Sequence, residues 1–232
     1  MASSLRSLLV CALLLFGRCS FAQTVSPVIQ EYHGKAEGAF ALTNNTPVPM
    51  AVILEVRSFT VNPDGNGIYR SLDSGIHVKL SSMSSRIDPG RTYYVYYKAK
   101  ADKLPAWFTI YSTFSPVGNR SRVDVRILLP HTVYIYPRKP RSKDDVVEVK
   151  KASYLREKGK IVCDIANNTV DLERVEEIRF ASNSHSITSP GFPLLPGTER
   201  HLELAWTQKE PPNEVVLHMD RSTLKLQLHS NN

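Results

Sequence analysis

The sequence predicts an all-β fold of two β-sandwich domains, and three observations lead to this prediction. Short segments rich in Val, Ile, Tyr, Thr and Phe follow one another along the chain, with turn residues between them. The same order of strands and turns occurs twice. A polar, proline-containing segment at residues 137–143 separates the two copies and is typical of a linker.

The strand segments are clearest in the first copy. Asp88-Pro89-Gly90 is a turn sequence, and the run Tyr93-Tyr94-Val95-Tyr96-Tyr97 after it is unfavourable in a helix. Residues 107–114 and 123–136 have the same character. Many short strands with regular turns are typical of a sandwich or a barrel.

The internal repeat divides the chain. Asn44-Asn45-Thr46 and then Pro89-Gly90 in the first half correspond to Asn167-Asn168-Thr169 and then Pro196-Gly197 in the second. A repetition in fixed order indicates a duplicated unit. Each unit has about 100 residues, the usual size of an immunoglobulin-like sandwich. We therefore predict two immunoglobulin-like β-sandwich domains, residues 23–136 and 144–232, joined at an angle by the linker 137–143.

Three Asn-x-Thr/Ser triplets, at Asn44, Asn119 and Asn167, are formal glycosylation acceptors. We interpret these asparagines as turn residues, because Asn tolerates left-handed backbone and hydrogen-bonds its own main chain.

Residues 1–22 have the features of a secretory signal peptide. Arg6 supplies the positive charge, and residues 8–16 form an apolar run that is too short for a bilayer, which needs about 20 residues. Small residues at Ser20 and Ala22 predict cleavage after Ala22. No later segment is apolar enough to predict stable membrane insertion. Cys163 would then be the only cysteine of the mature chain, and we expect it to be a buried small hydrophobe.

Composition and motifs argue against several classes of function. The chain has 29 Lys+Arg and 22 Asp+Glu, so loss of Arg6 and Arg18 leaves 27 against 22, a net charge of +5. This dispersed excess does not predict nucleic-acid binding. No nucleophile elbow, phosphate-binding loop or metal-ligand spacing occurs, and the seven histidines are scattered. We therefore expect no enzymatic activity, no catalytic residues, no cofactor and no metal.

Residues 123–136 form the most informative segment. Val123, Val125, Ile127 and Leu129 alternate and would share one face of a strand. Fourteen residues would span about 45 Å, well above the usual strand length, and Pro130 indicates an edge strand or a bulge.

Such a strand either adds to a partner or packs into its own core, and the pattern leaves both open for these four residues. Val133 and Ile135, further along the same run, are expected in the core. We also expect Ile127 and Leu129 to be more exposed than the aliphatic residues of neighbouring strands.

The order of these segments resembles that of the periplasmic pilus-assembly chaperones of the chaperone–usher pathway, the PapD-like family, and is closest to its archaic-type branch. The second domain is similar through the same order of turns. The segments that carry the resemblance in the first domain are 25–28, 41–46, 86–90, 110–116 and 123–136.

The resemblance implies a function. A chaperone of this family would stabilise pilus or fimbrial subunits in the periplasm by donor-strand complementation and deliver them to an outer-membrane usher. The donor residues would be Val123, Val125, Ile127 and Leu129, and a self-capped dimer through the same strand is a further state to consider. The alternative is a two-domain immunoglobulin-like structural or adhesive surface protein with no chaperone role.

The resemblance also implies a cleft between the domains where two basic residues hold the carboxylate of the subunit. The matching positions are Ile29 or Gln30 and Tyr134, none of which is basic. The carboxylate anchor is therefore missing or supplied by other residues, for example Arg126 or Arg138.

Overall fold

The computed structural model describes residues 22–118, 126–139, 147–220 and 222–231. The described chain is built of strands, with a single turn of 3-10 helix at Arg156–Lys158, and the all-β prediction is confirmed. Residues 1–21 of the predicted signal peptide, residues 140–143 of the predicted linker and the predicted donor residues Val123 and Val125 lie outside the described residues. The predicted domain boundaries stay a prediction.

The first sandwich packs a four-stranded sheet on a six-stranded one. The four-stranded sheet has the order β1 (Gln23–Ser26), β3 (Ala36–Asn44), β8 (Thr92–Ala101), β6 (Ile76–Leu80). The other has the order β2 (Ile29–His33), β10 (Ile127–Tyr136), β9 (Ala106–Pro116), β4 (Met50–Val61), β5 (Gly67–Ser71), and β7 (Ser84–Ile87) also pairs with β4.

The core of the first sandwich lies between the two sheets. Its fully buried side chains come from both sheets and include Phe40, Val95, Phe108, Ile110 and Phe114. Burial of one such aliphatic or aromatic side chain stabilises the fold by about 1.5–3 kcal/mol. The alternation of buried and exposed residues along these strands follows from the period of two.

The first strand segment changes sheets. β1 pairs antiparallel with β3, while β2 pairs parallel with β10 in the opposite sheet. The chain crosses between the sheets at Pro27 and Val28. This crossing determines how much of β10 receives a second neighbour.

The second sandwich has two four-stranded sheets. One has the order β15 (Glu199–Ala205), β12 (Lys160–Asn167), β11 (Val147–Leu155), β18 (His229–Asn231). The other has the order β14 (Ser186–Leu194), β13 (Glu173–Ala181), β16 (Glu214–Met219), β17 (Thr223–Gln227). Cys163 is fully buried in the core, as expected, and burial raises the pKa of its thiol to about 12.

The two sandwiches share a buried asparagine at the same place in each repeat. The amide Nδ2 of Asn44 donates to the carbonyls of Val48 (2.8 Å) and Ile87 (3.0 Å), and its Oδ1 accepts from the backbone and hydroxyl of Thr46. Gly90, with φ +68°, donates its N–H to the Asn44 carbonyl. The bond from the Thr46 N–H confirms that Asn44 is a turn residue, although its backbone is not left-handed. Asn119 lies outside the described residues.

Asn167 makes the equivalent bonds in the second sandwich. Its Nδ2 donates to the carbonyls of Asp171 (2.7 Å) and Leu194 (3.0 Å), and its Oδ1 accepts from Thr169. Gly197, also at φ +68°, donates to the Asn167 carbonyl. The repeat read from the sequence is therefore a repeat of this hydrogen-bonded turn.

A third apolar cluster joins the sandwiches. Phe59, Tyr134 and Tyr136 of the first pack on Leu172 and Leu195 of the second. A backbone hydrogen bond from the N–H of His201 to the carbonyl of Pro63 adds a polar link of 2.8 Å. These contacts line one side of the cleft between the domains.

Candidate functional site

Strand β10 has one edge that is paired along only part of its length. Its register with β9 runs from Ile127, opposite Phe114, to Ile135, opposite Ala106. Its parallel register with β2 begins only at Thr132, opposite Ile29. No described strand pairs with the other edge of residues 127–131. We call this stretch the open edge.

The backbone groups that face the open edge follow from one hydrogen bond. The N–H of Thr132 donates to the carbonyl of Val28 at 2.7 Å, so Thr132 points toward the β2 side. Successive residues of a strand point to alternate sides, which places the backbone polar groups of Leu128 and Pro130 on the open edge. Pro130 has no N–H. The missing donor would have faced the open edge, so no hydrogen bond between strands of this sheet is lost. Of the edge strand or bulge expected at Pro130, the structure shows an unpaired edge up to His131, while β2 pairs with the strand from Thr132 onward.

Side chains of β10 become more exposed toward the open edge. Val133 and Ile135 are fully buried, as expected for core residues. Ile127 and Leu129 are partly exposed and pack on the rim of the core. Ile110 of the neighbouring β9 is 0% exposed, so the expected difference in exposure is observed against that strand. It is not observed against β2, the other neighbour, whose Ile29 is 42% exposed. Ile127 and Leu129 are the described part of the predicted donor stripe.

His131 also lies on the inward face, between Leu129 and Val133, and the sequence analysis missed it. Its side chain is 0% exposed and stacks on Phe40 with ring centroids 4.4 Å apart. The period of two places position 131 on the inward face, but the prediction considered only the aliphatic residues of that face.

Both ring nitrogens of His131 have partners. Nδ1 lies 2.7 Å from the carbonyl of Pro27, which can only accept, so Nδ1 carries the proton. Nε2 lies 3.2 Å from the hydroxyl of Tyr97. Burial lowers the pKa of His131, although the bond to Pro27 opposes the shift. The ring thus ties β10 to the point where the chain changes sheets.

The predicted cleft residue Gln30 faces this same network and not the second domain. Its Oε1 accepts from the hydroxyl of Tyr32 at 3.1 Å and lies 2.6 Å from the hydroxyl of Tyr97. The single Tyr97 proton goes either to this oxygen or to Nε2 of His131, since both atoms can only accept. Burial raises the pKa of Tyr97, and the hydrogen bond with Tyr32 adds to the shift. The Gln30 side chain therefore connects β2 to the four-stranded sheet across the core.

The other three predicted cleft residues are dispersed. Tyr134 is buried in the interdomain cluster, and burial raises its pKa. Arg126 is exposed just before β10. Arg138 is exposed after β10, and its side chain lies over Gly34. Its Nε is 3.0 Å from the place that a Cβ atom would take if Gly34 were replaced by Ala. The structure does not bring these residues together.

Two arginines of the second domain reach the cleft instead. Nη1 of Arg174 is 2.9 Å from Oε1 of Glu31 on β2. The guanidinium carbon of Arg200 is 4.7 Å from the ring centroid of Phe192. The same guanidinium packs against the backbone of Gly65, whose φ is +88° and where a Cβ atom would have no room. Arg174 and Arg200 are far from β10 along the chain, so the sequence did not indicate that they would lie near this strand.

Arg200 stands out for its hydrogen bonding. Its Nε and Nη1 atoms are buried and have no hydrogen-bond partner among the described residues. Burial lowers the pKa of its guanidinium, and the charge of Asp64 opposes the shift. The side chain lines an interdomain cavity of about 210 Å³ together with Thr132 and Tyr134 of β10. A positive side chain thus lines a cavity beside the strand that carries the open edge.

Two further features of the described chain bear on function. No group of three or more His, Cys, Asp and Glu side chains within it is arranged to hold a metal ion. No helix in the described ranges is long and apolar enough to cross a membrane.

Comparison with known proteins gives a match at the level of fold. No protein-family model and no curated protein sequence matches the chain. Among solved structures, the YadV chaperone is 11% identical and has a TM-score of 0.55, with 89% of this chain and 99% of that chain covered.

Two complexes give similar matches. One is the Salmonella enterica SafA pilin in complex with the SafB chaperone, at 12% identity and a TM-score of 0.55, covering 90% of this chain and 97% of that chain. The other is the CsuC–CsuE chaperone–tip adhesion subunit pre-assembly complex from archaic chaperone–usher Csu pili of Acinetobacter baumannii. It is 12% identical, with a TM-score of 0.50, and covers 91% of this chain and 100% of that chain. The chain therefore has the two-domain all-β fold of chaperone–usher pilus chaperones, as the sequence resemblance implied.

Proposed function

We propose that this chain is an exported, non-enzymatic chaperone that stabilises pilus or fimbrial subunits by strand addition at the open edge of β10. Export would follow from the signal peptide at residues 1–22, with the periplasm as the site of action and an outer-membrane usher as the recipient of the subunit. The fold shared with pilus chaperones supports the class.

The open edge is the observation that carries the proposal. Residues 127–131 have a neighbour on the β9 side and none of the described strands on the other. An added strand would accept a hydrogen bond from the N–H of Leu128 and donate to the carbonyls of Leu128 and Pro130. Affinity from main-chain bonds does not depend on partner sequence, so specificity must come from side chains.

The side chains of Ile127 and Leu129 would supply that apolar contact. Each is partly exposed in the free chain and still has area to bury. Burial of apolar surface contributes about 25 cal/mol per Å². Val123 and Val125 continue the alternation upstream, and we propose that they extend the donor stripe into the partner.

We further propose that Arg200 is the cation that anchors an acidic group of the subunit. The positions that the resemblance assigns to this role hold Gln30 and Tyr134, and neither is charged. Arg200 lines the cavity beside β10, where its guanidinium would pair with a carboxylate. Arg174 is a weaker candidate because Glu31 already pairs with it.

The test is capture of a β-rich pilus subunit by purified variants. Ile127→Thr with Leu129→Thr should reduce capture by at least tenfold, because a partner groove would receive two hydroxyls without partners. Ile68→Thr is the matched control, since Ile68 is exposed on β5 at the opposite edge of the same sheet. Arg200→Gln should weaken capture, and Arg200→Lys should restore part of it.

Thermal unfolding of each variant separates binding from folding. Ile127 and Leu129 touch the core rim, so their threonine variants should unfold at a slightly lower temperature while remaining folded at the assay temperature. Undiminished capture by the double variant would refute the strand-addition proposal. Absence of any captured subunit with the wild-type chain would favour the structural or adhesive alternative, and a dimer that the double variant dissolves would indicate self-capping.

A further inference from the structure

The four-stranded sheet of the first sandwich has an outer face that no described element covers. Along β8, Val95 and Tyr97 point into the core, so Tyr94 and Tyr96 point outward. Tyr94 is 58% exposed and Tyr96 is 63% exposed. Two exposed aromatic rings side by side on the outer face of a sheet are unusual, because such apolar area is normally buried or used for contact.

The strand register surrounds these rings with small and basic residues. Ala39 and Ala41 of β3 lie opposite Tyr96 and Tyr94, which leaves the faces of the rings accessible. We call the surface formed by the outward tyrosines and lysines the tyrosine–lysine face. It comprises Tyr94, Tyr96, Lys35, Lys79, Lys98 and Lys100.

The lysines lie together at one end of this face. Lys79 of β6 lies opposite Lys98 of β8, and His77 lies opposite Lys100. Glu37 pairs with Lys98 at 2.6 Å and also interacts with Lys35, so one carboxylate stands among the four lysines. A groove of about 500 Å³ runs between Tyr96, Lys79 and Glu37. The surface thus joins an aromatic patch to a positive one.

We propose that the tyrosine–lysine face docks a second protein through an acidic segment that also carries aromatic or aliphatic side chains. Charge complementarity selects this occupant. The whole chain has a net charge of +7, which disfavours a second copy. Its own segments outside the described residues are not acidic: 1–21 and 119–125 are net positive and 140–146 is neutral.

The arrangement also disfavours a nucleic acid. Single-strand binding surfaces interleave aromatic rings with a basic track that follows the phosphates. Here the rings and the lysines occupy separate ends, and Glu37 lies among the lysines. A protein segment with one acidic part and one apolar part fits this separation.

The test measures binding of a labelled random copolymer of glutamate and tyrosine by fluorescence anisotropy. The double variant Tyr94→Ser with Tyr96→Ser should weaken binding at least tenfold. A separate triple variant, in which Lys35, Lys79 and Lys100 are all replaced by Gln, should do the same. The matched control replaces three exposed lysines of the second domain by Gln and should change binding less than twofold. These control positions are Lys151, Lys209 and Lys225.

Several results would overturn the proposal. Equal weakening by the control would show that net charge alone drives binding. Tighter binding of oligodeoxythymidine than of the copolymer would indicate a nucleic-acid surface, and a dimer dissolved by the tyrosine variants would indicate self-association. Subunit capture by the open edge of β10 should be unchanged in all these variants, which keeps this test separate from that of the proposed function.

Discussion

Glu31 of β2 and Arg174 of β13 form an ion pair across the domain interface, with 2.9 Å between Oε1 and Nη1. The hydroxyl of Tyr136 donates to the same carboxylate oxygen at 3.2 Å. Each charged side chain is about one third exposed, so water screens the pair. The pair couples the strand next to β10 to the second sandwich.

A double-mutant cycle measures that coupling. Glu31→Gln, Arg174→Gln and the combined variant should give an interaction energy of about 0.5–1 kcal/mol in urea unfolding, the range of partly exposed pairs. The Glu37–Lys98 pair within the first sandwich is the control, and its loss should not alter coupling between domains. A coupling energy of zero for Glu31 and Arg174 would mean that the interface is held by its apolar cluster alone.

Replacement of Asn44 or Asn167 by Ala should destabilise one sandwich more than the other. Asn44→Ala leaves the buried Ile87 carbonyl and the Thr46 backbone N–H without their partner, while the Val48 carbonyl keeps the Thr46 hydroxyl. Asn167→Ala leaves the buried carbonyls of Asp171 and Leu194 and the Thr169 N–H without theirs, and one such buried group costs about 1–3 kcal/mol. We expect a loss of about 3 kcal/mol or more in the affected sandwich. Calorimetry should show the two unfolding transitions move apart. Asn45→Ala, at an exposed neighbour, should leave both unchanged.

The stability of the first sandwich should fall in mild acid because of His131. Burial lowers the pKa of this imidazole in the folded chain, whereas the unfolded chain has a value near 6.5. The unfolded state therefore binds the proton first, and the contribution of His131 is complete above about pH 6.5 and declines as the pH falls toward the folded value.

His131→Asn tests this pH dependence, because an amide can still donate to the Pro27 carbonyl but does not titrate. The variant should be less stable at neutral pH and should lose less stability between pH 7 and 5 than the wild type. His185→Asn, an exposed position in the second sandwich, should keep the wild-type slope. Identical slopes for all three proteins would assign the acid sensitivity to other groups.

Cys163 should be inert to thiol reagents in the folded protein. It is 0% exposed, and burial raises its pKa to about 12, so neither access nor thiolate is available near neutral pH. In a protein produced to begin at Gln23, a chromogenic disulfide reagent should report no thiol until urea unfolds the second sandwich. Stoichiometric labelling of the native protein within minutes would contradict this.

Local patterns were enough to predict much of this architecture. Alternation along β10 is a property of neighbouring residues, and it correctly placed Ile127, Val133 and Ile135 on one face of the strand. The unusual length of the run predicted that its first part would be the more exposed one. The repeated Asn-x-Thr turns were visible because their hydrogen bonds are largely made within a few residues.

Contacts between distant segments could not be predicted in the same way. Arg174 and Arg200 reach the cleft only because the two sandwiches pack together, and no spacing along the chain encodes that approach. The direction of the Gln30 side chain likewise depends on tyrosines from β2 and β8 that meet across the core.

The paired asparagine turns also limit the choice of cell in which this protein can be made. An oligosaccharide is attached to the amide nitrogen of Asn, and in Asn44 and Asn167 that nitrogen already donates to two carbonyls inside the fold. A host that glycosylates nascent chains at these triplets would modify them before the turns close. Such modified chains could not form either turn, so a host without this modification is required to obtain the folded molecule.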